Sequence, residues 1–282
     1  MRIDFHTHGK LAKQLPFSTV YTDWLFAQAK SAGLDAICLT EHFNTLQFDE
    51  LYRYIASVSR RAGDCLELEN GLRIFPGMET DVAECGHILS VGPLEAILEL
   101  NRRLAPYKAK GSFLPFAQLM DLFDQYPVTV GCGHPFRAPG HVPEQPVEQL
   151  KRLSFLDLNG KDIALDRART ERLTYALAEK LELPVISGSD THQAVQYGCI
   201  STVLEQDCTT FDEIFSQVRA GAYRIEVAQQ AAFQVQTASL LKRALKEIHA
   251  LGGDYVSILT AKTVGQLVKS SATANWKRFQ RG

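Results

Sequence analysis

Short apolar runs alternate with longer amphipathic segments along the chain up to about residue 227. In chain order the runs read RIDF, DAICLT, LRIFPGME, HILSVG, VTVGCG, FLDLNG, LPVISGS and CISTVL. Short apolar runs bounded by turn residues predict buried strands, and the amphipathic segments between them predict helices. Regular alternation of the two is typical of an α/β fold with a parallel sheet.

Three of the amphipathic segments have clear helical limits. We predict helices over residues 21–32, ended by Gly33, over 116–126, ended by Pro127, and over 166–181. No glycine-rich phosphate loop follows the first strand, so about seven parallel strands fit a closed barrel better than an open sheet. The predicted fold class is therefore α/β, in the form of a TIM-like (β/α) barrel.

The pattern changes after residue 227, where the stretch AAFQVQTASLLKRALKEIHALGG predicts helix without further strands. We therefore expect a barrel over residues 1–227 and an appended helical segment over residues 228–282. The last 28 residues, after Asp254, contain five Lys or Arg and no acid. We interpret them as a solvated helical end rather than as a site for an anionic partner.

Composition limits the class of protein. The chain has 282 residues, of which 45% are apolar and 22% charged, and its formal net charge is −2. These values are ordinary for a globular protein and provide no overall field that would attract nucleic acid or an anionic membrane. We therefore expect a small substrate and no membrane partner, and the charge argues against a nucleic-acid partner.

Location and redox state follow from two further features. No apolar run approaches the roughly 18 residues of a membrane span, and the N-terminus enters a strand without the blocks of a signal peptide. The six cysteines form no CxxC pair, so we expect reduced thiols, without disulfides or a thiolate zinc site. Together these features predict a cytoplasmic protein.

The first predicted strand carries an unusual polar row. In RIDFHTHGKL, Asp4, His6 and His8 are two residues apart, and side chains alternate across a strand with period two. The three side chains should therefore share one face of the strand, where a buried strand normally shows only apolar residues.

More histidines and acids stand where later strands give way to loops. They are Glu41 and His42 in LTEHF, Glu79 in PGMETD, His87 in CGHIL, His134 in GCGHP, and Asp190 and His192 in SGSDTH. In a parallel barrel the strand ends meet at one rim, which carries catalysis. Imidazoles and carboxylates without thiolates suit Zn²⁺, Mn²⁺ or iron, and these residues exceed what one ion can use. Glu79, central in the series, can bridge two ions.

The motifs DFHTH, TEH, PGME, GHIL, GHP and SDTH together resemble those of the polymerase-and-histidinol-phosphatase (PHP) domain family, over about residues 1–225. The resemblance implies a distorted seven-stranded (β/α) barrel whose metal cluster, commonly trinuclear, hydrolyses phosphoesters. Carried over by motif, it implies three ligand sets: His6, His8, Glu79 and Asp190; Glu79, His87 and His134; and His42 with His192.

One stretch departs from the family pattern. The family usually has a further Asp or His soon after the HxH pair, but here GKLAKQLPFSTVYTD contains no histidine and no acid before Asp23. We therefore expect two to three divalent ions, with the third site incomplete. Lys10 and Lys13 lie in this gap, either as a solvated loop or as an ammonium group that replaces a cation.

Other polar residues have two interpretations each. Asp4 either orients a histidine ligand or bonds the strand backbone. Arg137, grouped with Glu79 and Asp190 as a catalytic candidate, either clamps a phosphate or is a surface residue. Asp157 and Asn159 stand where the family often has an acidic strand end. Of the remaining histidines, we interpret His141 as a loop residue and His249 as a residue of the appended helix.

We therefore expect a metal-dependent phosphoesterase that hydrolyses a small phosphomonoester, histidinol-phosphate-like rather than a nucleotide, with a metal-bridging hydroxide. Within enzymes, the alternative is an amidohydrolase-type barrel that cleaves C–N bonds, since it also opens with HxH and ends with an Asp. Outside enzymes, the alternative is a non-catalytic metal-binding accessory or regulatory module.

Overall fold

The structure is a computed structural model that describes residues 1–261. Its strands are β1 (Arg2–Thr7), β2 (Ala36–Leu39), β3 (Ser59–Ala62), β4 (Cys65–Leu68), β5 (Arg73–Val82), β6 (Gly86–Val91), β7 (Thr129–Gly133), β8 (Phe155–Asn159), β9 (Val185–Gly188), β10 (Ile200–Leu204) and β11 (Tyr223–Val227). Its helices are α1 (Thr19–Ser31), α2 (Phe48–Ser57), α3 (Leu94–Arg103), α4 (Phe116–Phe123), α5 (Val147–Leu150), α6 (Gly160–Leu181), α7 (Phe211–Ala220), α8 (Ala231–Ala250) and α9 (Tyr255–Thr260). Three short 3-10 turns span Ala105–Tyr107, Val142–Glu144 and Ala194–Gln196.

Nine strands form one curved sheet in the order β11-β10-β1-β2-β5-β6-β7-β8-β9. The sheet nearly closes, because the chain just after β9 lies beside β1: Thr7 and Thr191 form a parallel bridge, and the His8 amide donates to the Thr191 carbonyl at 3.0 Å. The predicted α/β barrel is therefore confirmed. The hairpin of β3 and β4 pairs with β5 outside this path.

The sequence pattern predicts only parallel strands, but the sheet also contains antiparallel pairs. β6 runs antiparallel to both β5 and β7, and β10 runs antiparallel to β1 and β11. Only residues 83–85 connect β5 to β6. Parallel strands need a crossover of a dozen or more residues, so this short connection allows only a hairpin.

The register of β1 against β2 shifts between Asp4 and Thr7. His6 and His8 lie together, with ring centroids 5.4 Å apart. The single row of Asp4, His6 and His8 stays a prediction at Asp4.

The helices match the predicted segments with shifted ends. α1 begins after Ser18, whose side chain accepts from the Tyr21 amide, and the chain leaves the helix through Gly33 at φ +83°. α4 ends before the predicted limit. α6 begins earlier than predicted, at the end of β8, because Asn159 caps it by accepting from the Lys161 amide, and it kinks at Asp166.

The segment after residue 227 contains α8 and α9. α8 packs against α6 and the Ala194–Gln196 turn, with Ala231, Val235, Ala238 and Leu245 buried. The Gln234 amide donates to the carbonyls of Val195 and Tyr197 at 3.3 and 3.1 Å. The division between a barrel and an extension at residue 227 stays a prediction. Residues 262–282, which hold the five basic residues of the predicted solvated end, lie outside the described residues.

Among the described helices, none has the length and apolar character needed to cross a membrane.

Candidate metal centre

Three groups of potential metal ligands meet at one rim of the barrel. In each group the ligand atoms lie within 4.8 Å of one another. The groups are His6, His8 and Asp190; Glu79, His87 and His134; and His8, His42 and His192. The structure thus brings together all eight residues predicted as metal ligands, and it adds His8 to the pair predicted for a third ion.

Glu79 lies at the centre of these groups, and its two oxygens face different imidazoles. Oε1 is 2.7 Å from His87 Nδ1, 3.2 Å from His134 Nε2 and 3.3 Å from His6 Nε2. Oε2 is 2.9 Å from His42 Nδ1 and 3.5 Å from His8 Nε2. This arrangement gives one carboxylate access to all three groups, as a bridging ligand requires.

Strand direction explains how His87 reaches this rim. Most candidates lie at or just after the carboxyl end of a strand, but His87 is the second residue of β6. Because β6 is reversed, its beginning lies at the same rim as the ends of its neighbours. The sequence argument placed His87 correctly but for the wrong reason.

Two candidates occupy strained backbone positions immediately after strands. His134 follows β7 with φ +31°, and Asp190 lies two residues after β9 with φ +55°. Positive φ is uncommon for residues other than glycine and costs free energy, so it persists where the surrounding structure holds it. At both positions the strained backbone turns a potential ligand toward the shared rim.

Buried polar atoms without partners indicate what this site holds. Within residues 1–261, no hydrogen bond satisfies His6 Nε2, either ring nitrogen of His8, His42 Nδ1 or Glu79 Oε2. A buried polar atom without a hydrogen bond costs roughly 1–3 kcal/mol. Five of the twelve unpartnered buried side-chain atoms in this range therefore lie on predicted ligands, where coordination would satisfy them together, and the mixture of imidazole and carboxylate fits divalent transition metals.

The other ring nitrogens of the ligands are fixed by oxygen atoms. His87 Nε2 donates to Asp81 Oδ1 at 2.9 Å, and His6 Nδ1 donates to Asp157 Oδ2 at 3.0 Å. His192 Nδ1 donates to the Lys10 carbonyl at 2.9 Å. Such contacts set the tautomer and orientation of a ligating histidine.

Sequence reasoning missed Asp81, although a signal for it exists. Asp81 lies two residues after Glu79 on β5, so both side chains lie on one face of that strand. The Lys10 carbonyl had no comparable signal, because backbone contacts depend on the tertiary path of the loop.

Asp4 bonds the backbone rather than an imidazole. Its Oδ1 accepts from the amides of Ser189 at 2.9 Å and His6 at 3.2 Å, and burial raises its pKa to about 7. Of the two interpretations offered above, the structure shows the second. Asp157 contacts the His6 ring instead.

Arg137 is enclosed by oxygen acceptors. It donates to Asp190 Oδ2 at 2.7 Å, to Asp162 Oδ1 at 2.9 Å and to Asn159 Oδ1 at 2.6 Å. Lys161 Nζ lies 2.8 Å from the other oxygen of Asp190. In this arrangement Arg137 positions Asp190, and its role as a phosphate clamp stays a prediction.

The gap after HxH contributes no side-chain ligand. The buried Lys10 ammonium donates to the Leu46 carbonyl at 2.5 Å, and Lys13 Nζ lies 3.8 Å from Asp81 Oδ2. Asp23 Oδ2 accepts from the Tyr54 hydroxyl at 2.6 Å. Whether either lysine replaces a third cation stays a prediction.

The two central carboxylates remain charged for different reasons. Burial would raise the pKa of Glu79, but His87, His42 and His6 around it hold that pKa well below its usual value. Burial would also raise the pKa of Asp190, but Lys161 and Arg137 hold it well below its usual value. Both are therefore available as anionic ligands.

The histidines around Glu79 differ in basicity. Burial opposes protonation of His87, but Glu79 and Asp81 outweigh it and raise the pKa of His87 to about 10. For His134, burial and the nearby Arg137 lower the pKa to about 4, so its ring is neutral and ready to ligate. Metal binding at His87 must therefore displace a proton.

The two histidines assigned no ligand role stand apart from these groups. His141 Nδ1 lies 3.0 Å from Glu144 Oε1 on an exposed loop. The His249 ring packs edge-on against Tyr255, with centroids 5.8 Å apart.

Comparison with known proteins relates this fold and site to a family. The family model described as PHP-associated matches residues 169–223, from the second half of α6 to the first residue of β11. This match and the barrel confirm the resemblance to the PHP domain family. No curated protein matches the chain in sequence.

Solved structures share the fold. PsfC from Pseudomonas syringae PB-5123 is 24% identical, with a TM-score of 0.70 over 86% of this chain and 98% of PsfC. The lesion-specific endonuclease Q from Pyrococcus furiosus is 15% identical, with a TM-score of 0.58 over 79% of this chain. Endonuclease Q in complex with a 27-mer duplex containing an abasic lesion is also 15% identical, with a TM-score of 0.57. This chain matches 57% of the length of each endonuclease Q chain.

These neighbours correct one expectation. The near-neutral net charge was taken to argue against a nucleic-acid partner, yet endonuclease Q, which shares this barrel, acts on a nucleic-acid duplex. That expectation is therefore wrong. Net charge sums the whole chain and does not report the local charge at the rim.

Proposed function

We propose that this protein is a metal-dependent hydrolase of the PHP family and that it cleaves the phosphoester bond of a small phosphomonoester. The observation that carries the proposal is the convergence of buried, unpartnered imidazole and carboxylate atoms around Glu79 at the barrel rim. A purely structural cluster would satisfy these atoms with hydrogen bonds.

The three ligand groups defined above would hold two to three divalent ions, with zinc, manganese or iron as the candidates. When bound, such ions lower the pKa of water, polarise phosphoryl oxygens and stabilise the charge of the leaving oxygen. The resident metal and the number of ions are part of this proposal.

The protein's own contribution is orientation and charge. Asp81 and Asp157 hold the His87 and His6 rings with their free nitrogens toward Glu79. Arg137 and Lys161 hold Asp190 from its two oxygens. Preorganised groups of this kind do not need to reorganise during the reaction, which favours catalysis of a reaction that develops negative charge.

Two cavities flank the ligand groups and support a small substrate. One of about 320 Å³ opens beside His192, and another of about 510 Å³ opens beside His87, with Phe113 and Pro139 in its lining. Both volumes lie within the roughly 300–1,000 Å³ of ordinary ligand pockets. A histidinol-phosphate-like metabolite, with a compact ring and a phosphate, is of this size.

A second candidate is cleavage of a nucleic-acid phosphodiester. The barrel shared with endonuclease Q favours it, since endonuclease Q was solved with a duplex substrate whose abasic lesion lies at the active site. Hydrolysis of C–N bonds and a non-catalytic metal-binding role are the remaining alternatives.

One panel of substrates separates these candidates. The full chain, loaded with Mn²⁺ or Zn²⁺, would be assayed with an aryl phosphomonoester, an aryl phosphodiester, an N-acyl arylamide and a duplex oligonucleotide with an abasic site. We expect the monoester to be hydrolysed fastest, with activity lost in a Glu79→Gln variant. A faster reaction with the duplex or with the amide would overturn the proposal in favour of the corresponding alternative. No turnover of any substrate by metal-loaded protein would favour the non-catalytic role.

A further inference from the structure

A cavity lined by basic residues adjoins the candidate metal centre on the side of His192. Its volume is about 320 Å³, and its walls come from the beginning of α6, the loop after β9 and the middle of α8. The lining residues are Lys161, His192, Gln193, Gln196, Ala238, Ser239, Lys242, Arg243 and Lys246. We call this space the basic cavity.

The basic residues of α8 line the cavity and have no anionic partner among the residues that the structure describes. Lys242, Arg243 and Lys246 form no hydrogen bond and no ion pair with any residue of the described range 1–261, whereas Lys161 contacts Asp190. Like charges four residues apart on a helix destabilise it slightly. Three cations facing one cavity therefore indicate a site for negative charge.

The pattern along α8 shows that these residues form one face. Ser239, Lys242, Arg243 and Lys246 are spaced at i, i+3, i+4 and i+7, which is the spacing of a continuous helical stripe. An adjacent stripe, containing Ala238 and Leu245, is buried against the barrel. The same packing that attaches α8 to α6 thus fixes the basic stripe beside His192.

We propose that the basic cavity binds a second anionic group of the substrate, a phosphate or a carboxylate, separate from the phosphoryl group that is hydrolysed. This inference rests on the function proposed above and specifies its substrate class as small phosphoesters with two anionic groups. His192 belongs both to the cavity wall and to a ligand group, so the cavity adjoins the candidate metal centre.

The chemistry of the lining suits oxyanions. A guanidinium group binds phosphate or carboxylate in a bidentate manner, and ammonium groups add point charge from other directions. The cavity volume is at the lower end of the range for small-ligand pockets, which fits one substituent of a small molecule.

The test compares substrates that differ only in the second group. The metal-loaded full chain would be assayed with phenyl phosphate, 4-carboxyphenyl phosphate and 1,4-phenylene bisphosphate. We expect kcat/KM to be roughly tenfold higher for the substrates with two anionic groups, as a charge-assisted contact provides. The carboxylate and bisphosphate arms show which anion the cavity prefers.

Two variants locate the effect. Lys242→Gln should lower the preference roughly two- to threefold, because Arg243 and Lys246 keep their charges; the preference is measured as the ratio of kcat/KM between doubly and singly anionic substrates. Lys180→Gln, an exposed lysine at the far end of α6, is the matched control and should leave the ratio unchanged. An unchanged ratio in Lys242→Gln, or an equal loss in both variants, would overturn the inference.

Binding separates this inference from the proposed function. The affinities of phenylphosphonate and 4-carboxyphenylphosphonate, which are not hydrolysed, would be measured by calorimetry on the same proteins. A Lys242-dependent preference for the second compound without any phosphatase activity would support the cavity and reject the proposed reaction. Activity on monoesters without any such preference would reject the cavity alone. Tighter, Lys242-dependent binding of a duplex oligonucleotide than of either compound would reject a small substrate.

Discussion

The two sides of the candidate metal centre differ in how their central carboxylates are satisfied. On one side, Glu79 is surrounded by five imidazoles, and the adjoining cavity has Phe113 and Pro139 in its lining. On the other side, Asp190 lies between the cations Arg137 and Lys161, and Lys161 also lines the basic cavity. Two carboxylates at one rim therefore have opposite surroundings.

This difference indicates which of the two carboxylates depends more on a bound metal ion for neutralisation. Imidazoles neutralise the charge of Glu79 only when they are protonated. Neutralisation of the Glu79 carboxylate therefore depends on bound metal ions or protons. Asp190 already has permanent cations from the protein, and a metal ion there competes with Lys161. We infer that the Glu79 side holds metal most firmly and that the Asp190 side is specialised for anions of the substrate.

The largest expected effect comes from Glu79→Ala. Losing a carboxylate that reaches all three ligand groups should lower phosphatase activity on the order of 10³-fold or more, because metal catalysis supplies several kcal/mol. His42→Ala should lose less, since it removes one imidazole of one group. Activity, metal content and circular dichroism would be measured on both. A larger loss in folded His42→Ala at equal metal content would contradict the central role of Glu79.

Removing the orienting carboxylates should have an intermediate effect. Asp81→Asn and Asp157→Asn keep the size of the side chain but lose the charge that fixes the His87 and His6 rings, so metal affinity should fall about 10–100-fold. Competition with a chelating dye would measure it. Asp212→Asn, on the exposed side of α7, is the control, and equal affinities in all three variants would contradict the orienting role.

A smaller change of opposite sign is expected for Lys161→Gln. Removing the cation 2.8 Å from Asp190 should strengthen metal binding there, by about fivefold if the pair is worth roughly 1 kcal/mol. The same dye competition measures it, with Lys180→Gln as the control. Weaker metal binding in Lys161→Gln would contradict the inference that Lys161 competes with a metal ion for Asp190.

The smallest effect concerns pH. Burial lowers the pKa of Lys242 to about 8, and the nearby cations Lys161 and Lys246 lower it as well. The carboxylates Asp190 and Glu41 raise this pKa but do not outweigh the burial. Lys242 loses its charge as pH rises through that value, so the preference for doubly anionic substrates should fall roughly two- to threefold between pH 7 and 9. In Lys242→Gln the fall should be absent. A preference that rises with pH would contradict the assignment.

The sequence predicted which candidate ligand residues come together, because their positions follow from strand order. His6, His42, His134 and Asp190 each come at or near the end of a short apolar run, and barrel geometry collects such ends at one rim. Local pattern was sufficient there, since neither the exact strand count nor the loops affect which end of a strand a residue occupies.

Other features of the fold and the site could not be predicted from the sequence, because they depend on contacts between segments that are distant along the chain. The register shift in β1 is a property of its pairing with β2, and the Lys10 carbonyl contacts His192 through the path of two loops. The docking of α8 depends on small buried residues such as Ala238, which have no distinctive signal in the sequence. The reversal of β6 was predictable from its short connection to β5, and it was missed.

The hairpin of β5 and β6 has a consequence for the order in which the site assembles. Glu79 and His87 belong to one local hairpin, and hairpins close in about 1–10 μs because little loop entropy opposes them. Asp190 and His192 join β1 only after most of the chain is available, since contacts of long sequence separation form slowly. We therefore expect the Glu79 half of the site to form first during synthesis, so that a metal ion captured there becomes a template on which the later C-terminal half folds.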